Sequence, residues 1–179
     1  MPETISPLVG IVLASQSDWP KIKAVAEALD EFGVAYEVRV MSAHRTPEVV
    51  RQYAAMAAAR GVQVLIAAAG GAAHLAGAVA AHTVLPVIGI PVPTDLQGGL
   101  DSLLSTVQMP GDVPVAAVGV GGGGARNAGV LAVEILALAR SDLQAKLAAF
   151  RHGLVEKVNA KNAALQTTLR AEKGSHVKK

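Results

Sequence analysis

Apolar and polar positions alternate along this chain in two periods, and the elements they predict follow one another in a regular order. Residues 8–14 form an unbroken apolar run, the pattern of a central strand covered on both faces. Over 18–32 the period changes: Ile22, Val25, Ala26 and Leu29 fall on one helical face and Lys23, Glu27, Asp30 and Glu31 on the other, with Gly33 as the stop signal. Ala35-Tyr36-Glu37-Val38-Arg39-Val40 alternates apolar and charged residues like a half-buried strand, and Thr46-Pro47-Glu48 then reads as N-cap, N1 proline and acidic first turn. Further strands are expected at 62–68, 86–91 and 114–120, each followed by a helical pattern after a glycine-rich or polar loop. After Arg140, Leu143, Leu147, Phe150, Leu154 and Val158 recur every three or four residues, which predicts one more helix from about 141, able to lie on a neighbouring subunit.

A βα unit repeated five times argues a parallel sheet with right-handed crossovers and helices on both faces. The expected fold class is therefore α/β, a three-layer α/β/α flavodoxin-like arrangement with a five-stranded sheet in the order 2-1-3-4-5 and an extra C-terminal helix. Its switch point falls between the first and third strands, at loops 15–18 and 70–74. One domain is expected over 1–162, with 163–179 a polar, poorly ordered tail.

Composition narrows the function. The chain has 179 residues, enough for one domain with a substantial core. Hydrophobic residues make up 51% and charged residues 17%, with mean hydropathy +0.40, which is apolar enough to suggest burial against copies of itself. Aromatics are only 3% and the net charge only +2, with basic residues gathered at Lys173, Lys178 and Lys179, so nucleic acid is not an expected partner. The absence of cysteine excludes disulfides, a thiolate nucleophile and Cys-ligated metals. No Asp, Glu, Lys or Arg lies between Arg60 and Asp95, but Gly70, Gly71, His74, Gly77, His82 and Pro86 interrupt the stretch. Two buried strands flanking a small-residue helix explain it better than a membrane span. Met1-Pro2-Glu3-Thr4 lacks a basic leader region, which gives a cytoplasmic expectation.

The chemistry concentrates in Ser42-Ala43-His44-Arg45-Thr46-Pro47. Here an imidazole and a guanidinium share the loop between a strand and a helix, at the sheet end where α/β proteins bind ligands. Arg suits fork-like recognition of phosphate. Ser15-Gln16-Ser17-Asp18 opens the first helix and can hold an anion, although Ser17 or Asp18 equally suits an N-cap with Pro20 behind it. Gly70-Gly71-Ala72-Ala73-His74 has little side-chain bulk, so a ligand can approach its backbone, or the glycines serve tight packing and His74 is structural. Gly121 to Gly124 lacks both a Walker lysine and a dinucleotide fingerprint and reads better as a tight turn. His82, His152 and His176 show no metal-ligand spacing, and no metal site is expected.

Together these stretches resemble the class I N5-carboxyaminoimidazole ribonucleotide mutase family, also called the catalytic subunit of phosphoribosylaminoimidazole carboxylase. The resemblance covers roughly residues 9–138. It rests on Ser15-Gln-Ser-Asp-Trp19, Tyr36-Glu-Val-Arg-Val40, Ser42-Ala-His-Arg-Thr-Pro47, Gly70-Gly-Ala-Ala-His-Leu75, Leu85-Pro-Val-Ile-Gly-Ile-Pro-Val92, Leu100-Asp-Ser-Leu-Leu-Ser105, Val107-Gln-Met-Pro110 and Asn127-Ala128. It implies a flavodoxin-like octamer that moves a carboxylate from the exocyclic nitrogen to C4 of an aminoimidazole ribonucleotide in purine biosynthesis, with no cofactor. It also implies that Ser15 and Arg45 bind the phosphate, Asp18 the ribose, and that His44 transfers the proton. Ser42, Gly70, Gly71, Ala72 and His74 complete the expected substrate site.

The chain departs from the family where Ala14 and Ala68 replace Gly, Ala76 replaces Pro, and Pro93-Thr94 replaces Gln-Ser. Each of Ala14 and Ala68 adds a methyl near the crevice and would be strained if the backbone required φ > 0. Two other readings follow: a carbon dioxide-dependent carboxylase of a related mononucleotide, and a nucleotide-binding assembly module without turnover. A bicarbonate requirement marks the first, and binding without conversion marks the second.

Overall fold

A computed structural model describes residues 6–176. Strands β1 (Val9–Leu13), β2 (Tyr36–Val40), β3 (Val64–Ala69), β4 (Val87–Pro91) and β5 (Ala116–Ala117) form one parallel sheet in the order β2-β1-β3-β4-β5. This is the flavodoxin-like order read from the sequence. Strands β1, β3 and β4 are buried along their whole length, as their unbroken apolar runs require, whereas the edge strand β2 does not show the half-buried alternation its sequence predicts, since Val38 and Val40 are both exposed. Leu13 pairs with both Val40 and Ala68, and Ala68 pairs with Ile90, so the strands finish nearly level. The loops after β1, β2, β3 and β4 therefore meet at one edge of the sheet.

Helices α1 (Trp19–Ile22), α2 (Ala24–Phe32), α3 (Pro47–Met56), α4 (Leu75–Ala80), α5 (Leu100–Val107) and α6 (Gly121–Ala137) fill the crossovers. Alternate sheet residues Leu65, Ala67 and Ala69 join Val50 and Ala54 of α3 and Leu75 and Val79 of α4 in one core cluster. Helix α2 packs on α6, where a Cβ at Gly129 would press on Val25 and Ala28. No helix among the described residues is long and apolar enough to cross a membrane.

Local structure departs from the pattern in three places. The helix expected over 18–32 is divided into a 3₁₀ turn at Gln16–Asp18, then α1, then α2, with Lys23 between the last two. The Ser15 hydroxyl accepts the Ser17 N–H and sets that first turn. The strand expected over 114–120 shrinks to Ala116–Ala117, because Gly119 turns away with φ +127. Gly121 to Gly124 are the first turn of α6 rather than a tight turn, and a Cβ on Gly124 would collide with the Gly119 carbonyl.

A second unit begins at Arg140. It contains α7 (Ser141–His176), a 36-residue helix that continues past Asn162, where the sequence pattern weakens. Thr167 and Thr168 donate to the Ala163 and Ala164 carbonyls within it. The readings made on Met1 to Thr4 and on Lys178 and Lys179 lie outside the described residues.

Candidate active site

The loop between β2 and α3 is closed by its own side chains. The Thr46 hydroxyl accepts the Ser42 N–H at 2.9 Å and donates to the Ser42 carbonyl at 3.1 Å. Thr46 stands at the N-cap position of α3 as expected, but its hydroxyl makes no cap, since the loop uses it. The Ser42 Oγ accepts the Arg45 N–H at 3.2 Å and the Arg45 Nε–H at 3.4 Å, and Arg45 Nη2 donates to the Ala14 carbonyl at 3.2 Å. Arg45 meets no carboxylate among the described residues, so its guanidinium is held in place by neutral acceptors alone.

His44 is exposed at the loop tip, and its Nε2 lies 2.8 Å from His74 Nδ1. The rings meet edge to face, with centroids 4.9 Å apart and planes at 83°. One ring must donate and the other accept, so their tautomers are linked. The Nδ1 atom of His44 takes no hydrogen bond among the described residues.

On the β1 side, Ser15 Oγ and Ser17 Oγ are 2.8 Å apart. Asp18 is at the N-cap of α1 but makes no side-chain cap, and the cap of the preceding 3₁₀ turn is the Ser15 hydroxyl instead. Burial raises its carboxyl above the ordinary value, outweighing the opposite pull of the Lys21 charge and a backbone hydrogen bond at Ser15. Neither Ala14 nor Ala68 has positive φ, so the two alanines are unstrained. Ala14 instead presents the carbonyl that Arg45 holds.

Gly71 adopts φ +67, a left-handed conformation that glycine accepts without strain. Its N–H donates to the Ser102 hydroxyl at 2.9 Å, and that hydroxyl donates to the Val92 carbonyl at 2.7 Å. Asp101 Oδ1 accepts the Ser102 N–H at 2.8 Å and the Thr94 hydroxyl at 2.6 Å. The Thr94 bond is the largest influence holding the Asp101 carboxyl below its ordinary value. This buried serine ties the glycine loop after β3 to the end of β4.

These loops line an open cleft of about 580 Å³. Ser15, Asp18, Ser42, His44, Arg45, Gly70, Gly71 and Ala72 line it. His74 does not. It stands behind His44 and lines a neighbouring depression with Leu104, Ser105 and Met109. The structure adds Lys21, Leu75, Val92, Pro93 and Thr94 to the wall. Sequence reasoning noted Pro93-Thr94 only as a departure and missed the support from Ser102, although Leu100-Asp-Ser is within a matched stretch. For Lys21 the only sequence signal is its place three residues after Asp18. Among the described residues no three His, Cys, Asp or Glu side chains converge as a metal site would require.

Residues 8–157 match the family described as AIR carboxylase. The chain is 57% identical over 160 residues to the N5-carboxyaminoimidazole ribonucleotide mutase of Mycobacterium tuberculosis strain H37Rv, covering 89% of this chain and 91% of the relative. It is 54% identical over 143 residues to the protein of the same name from Bacillus subtilis, covering 80% and 88%. The crystal structure of Treponema denticola PurE superposes with a TM-score of 0.76 at 27% identity, covering 89% of this chain and 98% of that one.

Proposed function

The chain belongs to the AIR carboxylase family, and from that membership we propose that it is an N5-carboxyaminoimidazole ribonucleotide mutase of purine biosynthesis. It is an isomerase that moves a carboxylate from the exocyclic nitrogen to C4 of the imidazole. The observation that carries this reading is the convergence of His44, Arg45, Ser15, Asp18 and the Gly70 to Ala72 backbone on one cavity.

The chemistry sets a specific demand on that cavity. When the N–C bond of the carbamate breaks, the nitrogen takes a proton and carbon dioxide is released. Carbon dioxide then bonds to C4, and C4 must lose its proton to restore the aromatic ring. One proton is given and one is taken back, so a single histidine can serve both steps and return to its starting state. His44 is assigned that role, with Nδ1 as the nitrogen that its bond to His74 leaves available. His74, placed in the substrate site by the sequence reading, acts here through His44.

Retaining the gas requires a small wall that excludes water. Ala69, Gly70, Gly71, Ala72 and Leu75 provide methyls and backbone without competing side chains. Ser102 fixes this wall through the Gly71 N–H. Ser15 and Arg45 are assigned to the phosphate and Asp18 to the ribose, so binding energy far from the reacting carbon holds the ring against His44. No cofactor is assigned.

A cytoplasmic homo-oligomer, an octamer by family resemblance, accompanies this reading. Exposed Leu154, Val158, Leu165 and Leu169 recur along α7 at spacings of four and seven, a stripe that a further subunit would cover. The function is tested by supplying enzymatically generated N5-carboxyaminoimidazole ribonucleotide without ATP or added bicarbonate. Conversion to the C4-carboxylated isomer is expected. Turnover only with added bicarbonate would favour the carboxylase, and binding without turnover the silent module.

A further inference from the structure

We propose that Lys21 is a substrate-binding residue, a second cation that meets an anionic group of the bound mononucleotide across the cavity. The proposal rests on the mononucleotide reading of this site. Lys21 lies in α1, after β1, yet its Nζ donates to the Pro93 carbonyl after β4 at 3.2 Å. Strand β3 lies between those two strands. The lysine therefore links the β1 and β4 sides of the cavity, whose wall includes Ala69 and Gly70.

An ammonium has three N–H donors, and the Pro93 carbonyl takes one. Lys21 forms no ion pair within 4 Å among the described residues, although its charge is felt at Asp18. The side chain is exposed and adds nothing to the apolar core. Its side chain lines the cavity, and its charge is not neutralised at close range.

Charge balance shows what it is for. Among the residues lining the cavity, Arg45 and Lys21 are cationic and Asp18 is anionic. Without Lys21 the fixed charges of the wall cancel, whereas a nucleotide monophosphate brings a charge of about −1.5 to −2 and a carboxylate adds another. Arg45 alone would have to offset both that charge and Asp18. With Lys21 the cleft is net positive before the ligand arrives, which favours both capture and retention of an anion. The two anions that could meet Lys21 share one chemistry, a multidentate oxyanion accepting charge-assisted hydrogen bonds.

Three variants test this: Lys21→Gln, which keeps a donor for the Pro93 carbonyl but removes the charge, Lys21→Arg, which restores it, and Lys21→Glu. Lys21→Gln is expected to raise KM about tenfold with a smaller change in kcat, the loss of one charge-assisted bond. It should also flatten the dependence of kcat/KM on ionic strength, and Lys21→Arg should recover both. Binding of ribose 5-phosphate, measured by calorimetry, locates the contact. Weakening in Lys21→Gln places Lys21 at the phosphate, whereas unchanged ribose 5-phosphate affinity with weaker binding of the carboxylated product places it at the carboxylate. Unaltered affinity for both probes and unaltered salt dependence in Lys21→Gln and Lys21→Glu would overturn the proposal. Failure of the mononucleotide reading is distinguishable, because the wild type itself would then bind neither probe, and both claims would fall together.

Discussion

Two polar clusters on this molecule use the same residue types to opposite ends. On the flank of β2, Glu37 Oε1 accepts the Tyr53 hydroxyl at 3.0 Å and Arg60 Nη1 at 2.7 Å, while Oε2 accepts Arg39 Nε at 3.2 Å. The Arg60 guanidinium also covers the Tyr53 ring at 4.6 Å. Burial alone would raise the Glu37 carboxyl, but the bonds from Arg60, Tyr53 and Arg39 outweigh it and hold the group below its ordinary value. Burial and the same carboxylate push the Tyr53 hydroxyl up to about 12. Each charge there meets an opposite charge. In the cleft, by contrast, Arg45 and Lys21 rest on backbone carbonyls and a hydroxyl, and burial leaves the Asp18 carboxyl raised. A cluster that satisfies itself stabilises the fold, whereas a cluster held in place by neutral acceptors leaves its charge unneutralised, as the proposed binding role requires.

Substitutions should separate the two clusters. The largest effect is expected from His44→Asn, which should fold and assemble normally yet lose about a thousandfold in kcat, the usual scale for a proton-transfer group. Near-normal turnover would remove His44 from the reaction. Arg45→Ala should raise KM about thirtyfold while the melting temperature changes little, since the residue is exposed and its lost contacts are neutral. A large fall in melting temperature with KM unchanged would make Arg45 a loop strut instead.

Glu37→Gln should do the reverse, with kinetics retained and stability reduced by about 1 kcal/mol after allowance for solvent screening at the arginines. Because folding depresses this carboxyl, its contribution is present above the ordinary value of 4.5 and is lost as pH falls through the folded value. The difference in melting temperature between wild type and variant should shrink on acidification. Equal melting temperatures at neutral pH would show that this cluster is energetically idle.

The smallest effect is in Asp18→Asn. Folding raises the Asp18 carboxyl, so ionised Asp18 costs stability at pH values above its raised folded value, and the cost vanishes as pH falls below 3.8. The variant should melt slightly higher than wild type at neutral pH, match it in acid, and bind the ribonucleotide more weakly. A lower melting temperature at neutral pH would mean that Asp18 is structural.

The sequence exposed the parts of this arrangement that depend on local pattern. The unbroken apolar run of β1 and the alternation of β2 located the level strand ends, and Thr46-Pro47 marked where the His44 loop meets α3. Contacts across the sheet end left no local trace: Lys21 and Pro93 are 72 positions apart, and Gly71 and Ser102 are 31 apart. In sequence Thr46 reads as a cap because cap and loop clamp use the same hydroxyl, and only the fold of the loop decides between them. The length of β5 depended on the φ of Gly119, which no side-chain pattern reports.

Following the carboxylate itself tests the central claim most directly. Substrate carrying a ¹³C label in its carbamate would be converted in an excess of unlabelled bicarbonate, and the C4 carboxylate of the product read by NMR. Retention of the label is predicted, because the gas released from nitrogen is recaptured within the wall of Ala69 to Ala72 before it can exchange. A product carrying unlabelled carboxylate would contradict the mutase account and establish a carboxylase that draws carbon dioxide from solution.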